Sequence, residues 1–243
     1  DYTREAGVRE LDRLLEKLTR SRAKEIVLGK KIEPEISESV MLRYLGAPRF
    51  TNGVLPAPGH FGRITGLAWT SVGGEILTIE CMLLSGRGKV TLTGRLGDVM
   101  KESVQIAISL VRARLKRYGV DPDLVRKTDI HIHVPEGAVP KDGPSAGIAM
   151  TLVILSAFTR IPVKPDIAFT GEVSLCGELL PIGGLNEKSL AAKEAGVKTL
   201  YVPEGNGKDV LELPLPAKKA LKIHQKKHID EIIKDLFPLP KKV

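Results

Sequence analysis

Residues 140–147, PKDGPSAG, run directly into the apolar segment 148–158, IAMTLVILSAF, and this loop-to-helix passage decides the fold. Gly143 and Gly147 give the backbone freedom on either side of Ser145, and Pro144 is favoured in the first turn of a helix. We therefore expect Ser145 where unpaired backbone amides and the positive end of a helix dipole converge, which is where an oxyanion can be held. Most serines at helix starts are only caps, so a catalytic role depends on finding a base.

Length and composition indicate a globular protein. The chain has 243 residues, of which 42% are hydrophobic and 27% charged, enough for one large domain or a large one and a small one. No apolar run approaches the roughly 18 residues of a spanning helix, so we expect no membrane partner. The chain starts at Asp1 without a leader, so we expect a fragment or a processed piece. Cys81 and Cys176 fit a reducing compartment, although the sequence leaves a disulfide between them open.

The charge is basic and uneven. The net charge is +8, and from residue 208 onward nine lysines stand against five acidic residues. Such a surface attracts nucleic acid weakly and without sequence preference. Only 4% of the residues are aromatic and no zinc-finger spacing occurs, which disfavours sequence-specific reading. A solvated basic face is the default, and a basic nucleic-acid-binding module stays an alternative function.

Hydrophobic periodicity predicts helices at the start of the chain and a mixture of strands and helices later. Residues 3–28 carry leucines at helical spacing, and a second helix is capped by Ser37 and stopped by Gly46. The stretch 51–59, TNGVLPAPG, is typical of a linker. Beyond it we predict strands at 63–70, 75–84, 89–93, 129–134, 166–170, 172–180, 198–202 and 220–224, and helices at 96–118, 148–158, 185–195 and 229–236. This mixture predicts an α+β or mixed α/β domain.

One candidate chemistry for Ser145 uses a histidine base. GPSAG matches the G-x-S-x-G elbow of α/β-hydrolases, but that elbow follows a strand directly, whereas residues 135–142 form a loop rich in proline and glycine. The acid would be Asp166 or Asp209, and the base His224 or His228. These histidines lie in the basic tail, where a solvated role is expected. An esterase of this type stays an alternative.

Two further histidines suggest a metal site only weakly. His131 and His133 lie on the same face of a predicted strand. No nearby carboxylate or cysteine completes a ligand set. We therefore expect a structural role for this pair and no metal ion.

The other candidate base is Lys188, in LPIGGLNEK at 180–188. A lysine acts as a base only when neutral, and a usual pKa of about 10.4 leaves well under about 1% neutral at pH 8. Burial against apolar walls beside a helix N-terminus lowers the pKa to roughly 7–8. Thr170, at the end of the strand 167–169, is placed to hydrogen-bond the amine and orient it.

These motifs resemble those of a known family. PKDGPSAG around Ser145 and LPIGGLNEKSLAAKEAG around Lys188 resemble the serine–lysine dyad motifs of the A-type Lon proteases, which are ATP-dependent AAA+ enzymes. Their separation, 188 − 145 = 43 residues, agrees with that family. The resemblance covers nearly the whole chain through YTREAGVR at 2–9, YLG-x-PRF at 44–50, TGLAWT-x-VGG at 65–74, LTG-x-LG-x-VM at 92–100 and HVPEGA at 133–138.

The resemblance implies an architecture and a set of site residues. Residues 1–50 would be the end of the helical AAA+ α-subdomain, 51–59 a linker, and 60–243 the Lon-type proteolytic domain. Ser145 would be the nucleophile and Lys188 the general base. The other implied residues are Thr170 beside the lysine, Asp142 with Gly143 in a loop that switches between open and occluded forms, Trp69 and Thr70 on the edge along which substrate lies as an added strand, and Arg9 as the sensor-two arginine that contacts nucleotide.

One departure bears on cofactors. The family's ATPase has a Walker A loop, but this chain has no G-x-x-x-x-G-K-[ST], and Gly86-Arg87-Gly88-Lys89 is followed by Val90. We therefore expect the ATPase core and the substrate-recognition domain to be absent and this chain to hold no cofactor, ATP and Mg belonging to the full-length protein.

The resemblance also implies a function and partners. The implied function is a serine endopeptidase, the proteolytic part of an enzyme that degrades misfolded and regulatory proteins. The implied partners are unfolded chains or peptides and further copies of the protein in a hexameric ring. The implied location is the bacterial cytoplasm, or the mitochondrial matrix for a eukaryotic source.

Overall fold

A computed structural model describes residues 2–50, 53–135 and 141–239. These residues form two compact units, one made of the chain before residue 53 with Ser71–Gly73 and the other of the remainder. Within the described residues no helix is both long and apolar enough to cross a bilayer. Residues 53–59 of the predicted linker contain no helix or strand. The predicted linker residues 51–52 and the loop residues 136–140 lie outside the described residues. The domain boundaries predicted from the sequence stay predictions.

The first unit holds two helices, α1 (Arg9–Val27) and α2 (Glu38–Leu45). The predicted start of α1 at residue 3 is wrong by six residues. The carboxylate of Glu5 accepts hydrogen bonds from the backbone amides of Glu10 and Leu11, each at 3.0 Å. Because Glu5 supplies acceptors to amides that have no partner within the helix, it must lie outside the first turn rather than inside it.

The ends of α2 agree with the sequence analysis. The hydroxyl of Ser37 accepts from the backbone amide of Val40 at 3.4 Å, which confirms the predicted N-cap. Gly46 follows the helix with a φ of 88°, a backbone angle that favours glycine, so it ends the helix as predicted.

The second unit is built on a mixed seven-stranded sheet in the order β3-β4-β2-β1-β5-β8-β9. A separate two-stranded hairpin pairs β6 with β7. Strands β2 and β4 are antiparallel, whereas the pairs β3–β4, β1–β5, β5–β8 and β8–β9 are parallel. The strands are β1 (Arg63–Thr70), β2 (Gly73–Ser85), β3 (Val90–Thr93), β4 (Thr128–His133), β5 (Ile167–Phe169), β6 (Glu172–Val173), β7 (Leu179–Leu180), β8 (Thr199–Pro203) and β9 (Lys222–Lys226).

Helices cover both faces of this sheet. They are α3 (Asp98–Arg114), α4 (Gly147–Thr159), α5 (Leu185–Glu194), α6 (Gly207–Glu212), α7 (Leu215–Ala220) and α8 (Ile229–Leu236), with 3-10 turns at Leu115–Tyr118, Pro122–Lys127, Pro144–Ala146 and Glu204–Asn206. Successive side chains of a strand point to opposite faces. Phe169 accordingly joins the core built with α3, α4 and α8, whereas its neighbour Ala168 joins the core built with α5 and α7. The mixed α/β class is therefore confirmed.

Two parts of the second unit differ from prediction. The strand predicted at 172–180, with a bend at Gly177, is instead the hairpin β6–β7. Gly177 turns the chain with a φ of 97°, and the hydroxyl of Ser174 accepts from the amide of Glu178 at 3.0 Å. Helices α6 and α7, with six residues each, were not predicted. Segments this short hold less than two turns, too few for a helical period to emerge.

Candidate active site

Ser145 lies in the 3-10 turn Pro144–Ala146, which leads directly into α4. Gly143 has a φ of 119°, so its predicted backbone freedom is needed. The same reason is wrong for Gly147, whose φ of −55° is helical. Gly147 is required for space instead, since a Cβ atom there would lie 2.9 Å from the backbone nitrogen of Val173.

Backbone hydrogen bonds fix the Ser145 turn against the chain that follows β5. The amide of Gly171 donates to the carbonyl oxygen of Ser145 at 2.8 Å, and the amide of Ile148 donates to the carbonyl oxygen of Gly171 at 3.1 Å. All residues from Gly147 to Phe158 are buried, as the apolar sequence predicts. Ser145 is therefore carried on a rigid support, with the positive end of the α4 dipole behind it.

Lys188 lies in the first turn of α5, which begins after Gly184 with its φ of 69°. The side chain of Lys188 is only 2% exposed, and its Nζ atom donates a hydrogen bond to the carbonyl oxygen of Gly183 at 2.9 Å. Burial lowers the pKa of this amine to about 8, an effect that the nearby carboxylate of Glu187 partly opposes. A buried lysine that is largely neutral at mildly basic pH can accept a proton.

One cleft of about 620 Å³ brings Ser145 and Lys188 together. Asp142, Trp69 and Thr70, which were singled out from the sequence, also line it. No histidine lies among the described residues of its wall. The remaining lining residues are Ala68, Glu75, Leu77, Met100, Lys141, Pro144, Ala146, Pro181, Ile182, Gly183, Gly184, Leu185, Asn186, Glu187, Asp209 and Glu212.

Thr170 follows β5 directly and is completely buried. The predicted hydrogen bond between Thr170 and the amine of Lys188 is not formed in this structure, in which the amine donates to Gly183. The Thr170 hydroxyl has no hydrogen-bond partner among the described residues. A buried polar group without a partner costs free energy and is a common sign of a functional residue.

Asp142 fixes the loop before Ser145 to the start of α3. Its carboxylate accepts from the backbone amides of Met100 at 3.1 Å and Gly143 at 2.9 Å. Gly97, the residue before α3, has no side chain to cap the helix, and a Cβ atom there would lie 2.2 Å from Cγ of Asp142. Asp142 thus caps a helix more than forty positions away in the chain, a contact that no local sequence pattern reveals.

Strand β1 extends past the end of its neighbour β5 and runs along the cleft. Phe169, the last residue of β5, pairs with Gly66, so β1 continues for four residues beyond that pair, up to Thr70. Trp69 in this extension is 59% exposed. Its ring lies against Gly184, where a Cβ atom would lie 2.8 Å from Cγ of Trp69.

The structure does not bring the alternative histidine bases to Ser145. The ring of His224 stacks on Tyr201 with centroids 4.9 Å apart, and burial together with nearby lysines lowers its pKa. His228 caps α8, because its Nδ1 atom accepts from the amide of Asp230 at 3.2 Å. Of the two proposed acids, Asp166 pairs with Lys198 at 3.7 Å. Asp209 does line the cleft, but its carboxylate accepts from the side-chain amide of Asn206 at 2.6 Å and contacts neither histidine.

The remaining residues from the sequence analysis are not among the residues that line this cleft. His131 and His133 both hydrogen-bond the hydroxyl of Thr93, at 3.0 and 2.7 Å, and border a second cleft. The described parts of the chain contain no group of three potential metal ligands. Cys81 and Cys176 are free thiols. Arg9 is the exposed first residue of α1.

Comparison with protein families and comparison with individual known proteins identify the same family. Residues 35–238 match the family described as the Lon protease (S16) C-terminal proteolytic domain, and residues 1–35 match the Lon protease AAA+ ATPase lid domain. The chain is 50% identical over 233 residues to a Lon protease of Escherichia coli (strain K12), and 48% identical over 240 residues to Lon protease 1 of Syntrophobacter fumaroxidans. These alignments cover 96% and 98% of the chain but only 30% and 29% of the relatives.

Proposed function

Since the chain belongs to the Lon protease family and contains its proteolytic domain, we propose that it is a serine endopeptidase in which Ser145 is the nucleophile and Lys188 the general base. One observation carries the proposal. The buried amine of Lys188, with a pKa of about 8, lines the same cleft as Ser145 at the start of a buried helix. A nucleophile beside a base whose pKa is lowered is the arrangement that covalent catalysis requires.

The chemistry follows from these groups. Neutral Lys188 takes the proton of the Ser145 hydroxyl while its oxygen attacks the peptide carbonyl carbon. The resulting oxyanion is held by the backbone amides of Ser145 and Ala146. The next amide of the turn, that of Gly147, already donates to the carbonyl oxygen of Pro144.

Collapse of the tetrahedral intermediate breaks the C–N bond, and the ammonium of Lys188 gives its proton to the leaving amine. Neutral Lys188 then takes a proton from water as the water oxygen attacks the acyl ester. The Ser145 oxygen leaves and recovers a proton from the ammonium of Lys188, which restores both residues.

The substrate lies along β1 as an added strand in this proposal. The extension of β1 past β5, with Trp69 and Thr70 in the wall of the cleft, supports an extended peptide in this position. An extended chain must be unfolded to enter, so peptides and unfolded proteins are the proposed substrates and folded proteins should resist cleavage.

The chain spans about 30% of the length of the curated relatives it matches, so the properties of a whole protein are also proposals. We propose that a longer protein assembles into a hexameric ring in the cytoplasm and binds ATP and Mg outside this chain. Arg9, an exposed guanidinium at the start of α1, has the chemistry to contact the nucleotide phosphates there. Weak binding of DNA by the basic residues stays untested.

Cleavage of a short fluorogenic peptide tests the dyad. Ser145→Ala and Lys188→Gln should each reduce turnover to background, whereas His224→Ala should retain it. His228→Asn should retain it too, since asparagine can still cap α8. Activity that survives in purified Ser145→Ala would overturn the proposal. Loss of activity in the single variant His224→Ala would favour the histidine-based alternative.

A further inference from the structure

The carbonyl oxygen that holds the Lys188 amine belongs to a short irregular segment, in which Gly184 is in contact with the ring of Trp69. Residues Pro181–Gly184 connect β7 to α5 and are neither helix nor strand. A Cβ atom added at Gly183 would meet nothing within 4 Å, and Gly184 has a φ of 69°. The direction of the Gly183 carbonyl is therefore not fixed by side-chain packing at Gly183. Something outside the segment must fix it.

Asn206 supplies that restraint one residue away. Its side-chain Oδ1 accepts from the backbone amide of Ile182 at 3.1 Å, and its Nδ2 donates to the carbonyl oxygen of Ile182 at 2.7 Å. One amide side chain thus binds both backbone groups of a single residue, as a neighbouring strand would. The two contacts demand opposite ends of the amide, so they also fix its orientation.

A third hydrogen bond and a packing contact hold Asn206 in place. The second hydrogen of its Nδ2 atom goes to the carboxylate of Asp209 at 2.6 Å, and Asn206 is only 1% exposed. The preceding residue, Gly205, lies so close to the ring of Pro181 that a Cβ atom there would sit 3.2 Å from it. The turn Glu204–Asn206 is therefore fitted to the segment before α5 by both shape and hydrogen bonding.

We propose that Asn206 is a positioning residue that sets the direction of the Gly183 carbonyl through Ile182 and so aims the Lys188 amine at Ser145. The proposal rests on the function of Lys188 as the base. The neutral amine has two N–H bonds and one lone pair. When one N–H is directed to Gly183, rotation about the Cε–Nζ bond is restricted and the lone pair keeps a defined direction. Because a small misplacement of a catalytic group reduces rates strongly, the fixed carbonyl has a direct consequence for turnover.

The kinetic test compares three variants in the peptide assay. Asn206→Leu keeps the number and branching of the side-chain heavy atoms and removes all three hydrogen bonds. Asp209→Ala removes one anchor from an exposed position and serves as the test in case Asn206→Leu misfolds. We expect kcat to fall about tenfold or more in Asn206→Leu and less in Asp209→Ala, with KM changed by less than about twofold. Glu194→Ala, an exposed residue at the end of α5, should match the parent chain. Unchanged kcat in both folded test variants would overturn the proposal.

A second readout separates this proposal from the function itself. NMR titration of labelled lysine side chains reports the protonation of Lys188 without any substrate. Loss of a fixed carbonyl acceptor removes a hydrogen bond that favours the ammonium, so the midpoint should shift to lower pH in Asn206→Leu and stay unchanged in Glu194→Ala. If Asn206→Leu shows this shift but the parent chain cleaves no peptide, the proposed function fails and the positioning role stands. An unmoved or raised midpoint in a folded Asn206→Leu would refute the positioning role.

Discussion

The Nζ atom of Lys188 lies 2.9 Å from the carbonyl oxygen of Gly183, five residues earlier in the chain. Both residues line the cleft that contains Ser145, and the Lys188 side chain is 2% exposed. A buried amine in contact with a single carbonyl oxygen is poorly solvated as an ammonium. Both the activity and the stability of the protein should therefore depend on pH through this residue.

Peptide cleavage should increase as pH rises through about 8. The pKa of Lys188 is lowered to about 8 by burial, and only the neutral form accepts the Ser145 proton, so the active fraction grows from pH 6 to pH 9. The measurement is kcat/KM for a short peptide across this range, which reports the free enzyme. A midpoint between about 6 and 7 would instead indicate a histidine base.

Replacing Lys188 with methionine should stabilise the fold at neutral pH while abolishing activity. The folded-state pKa, about 8, lies below the usual lysine value of 10.5. Between these two pH values the unfolded chain binds more protons, so stability rises with pH. Below pH 8 the folded lysine carries its full penalty, on the order of 3 kcal/mol.

The stability advantage of Lys188→Met over the parent chain should therefore be largest at or below pH 8 and shrink towards pH 10.5. Urea unfolding at pH 7 and pH 10 measures it. An advantage that is equal at both values would show that the buried charge is not its source.

The buried hydroxyl of Thr170 should cost stability and support catalysis. It has no partner among the described residues, so Thr170→Val, which keeps the shape, should leave the free energy of unfolding unchanged or raise it by about 1 kcal/mol. Turnover should nevertheless fall, because we propose that this unpartnered hydroxyl orients the Lys188 amine during the reaction.

Thr151 provides the matched control. It is equally buried, but its hydroxyl donates to the carbonyl oxygen of Gly147 at 2.9 Å. Thr151→Val should therefore destabilise the fold by about 1 kcal/mol and leave turnover unchanged. Thermal unfolding and peptide kinetics on both variants test these expectations. Full turnover in Thr170→Val would show that the Thr170 hydroxyl has no role in catalysis.

Asp142→Ala should destabilise α3 and loosen the loop before Ser145 together. Its carboxylate is the cap that Gly97 lacks, and losing such a cap costs about 1 kcal/mol. Asp142→Asn keeps an acceptor oxygen and should lose less of both stability and turnover. Hydrogen exchange at the Met100 amide gives a local readout. If that exchange is as slow in Asp142→Ala as in the parent chain, the capping interpretation is wrong.

The local sequence determined the fold class and the elements that carry the candidate dyad. The apolar run 148–158 predicts a buried helix, because its two polar residues, Thr151 and Ser156, are small and uncharged and no charged residue lies on any side of it. Pro144 and Gly143 place Ser145 at its start, and the alternation along the other segments gives the strands of a mixed α/β unit. Those properties depend on residues close together in the chain, so the sequence alone determines them.

The tertiary structure decided what surrounds the candidate dyad. The cap on α3 comes from Asp142, the restraint on Ile182 comes from Asn206, and Gly147 is required by Val173. Each of these features is a contact between residues that become neighbours only when the chain folds, and neither spacing nor periodicity in the sequence encodes the identity of such a partner.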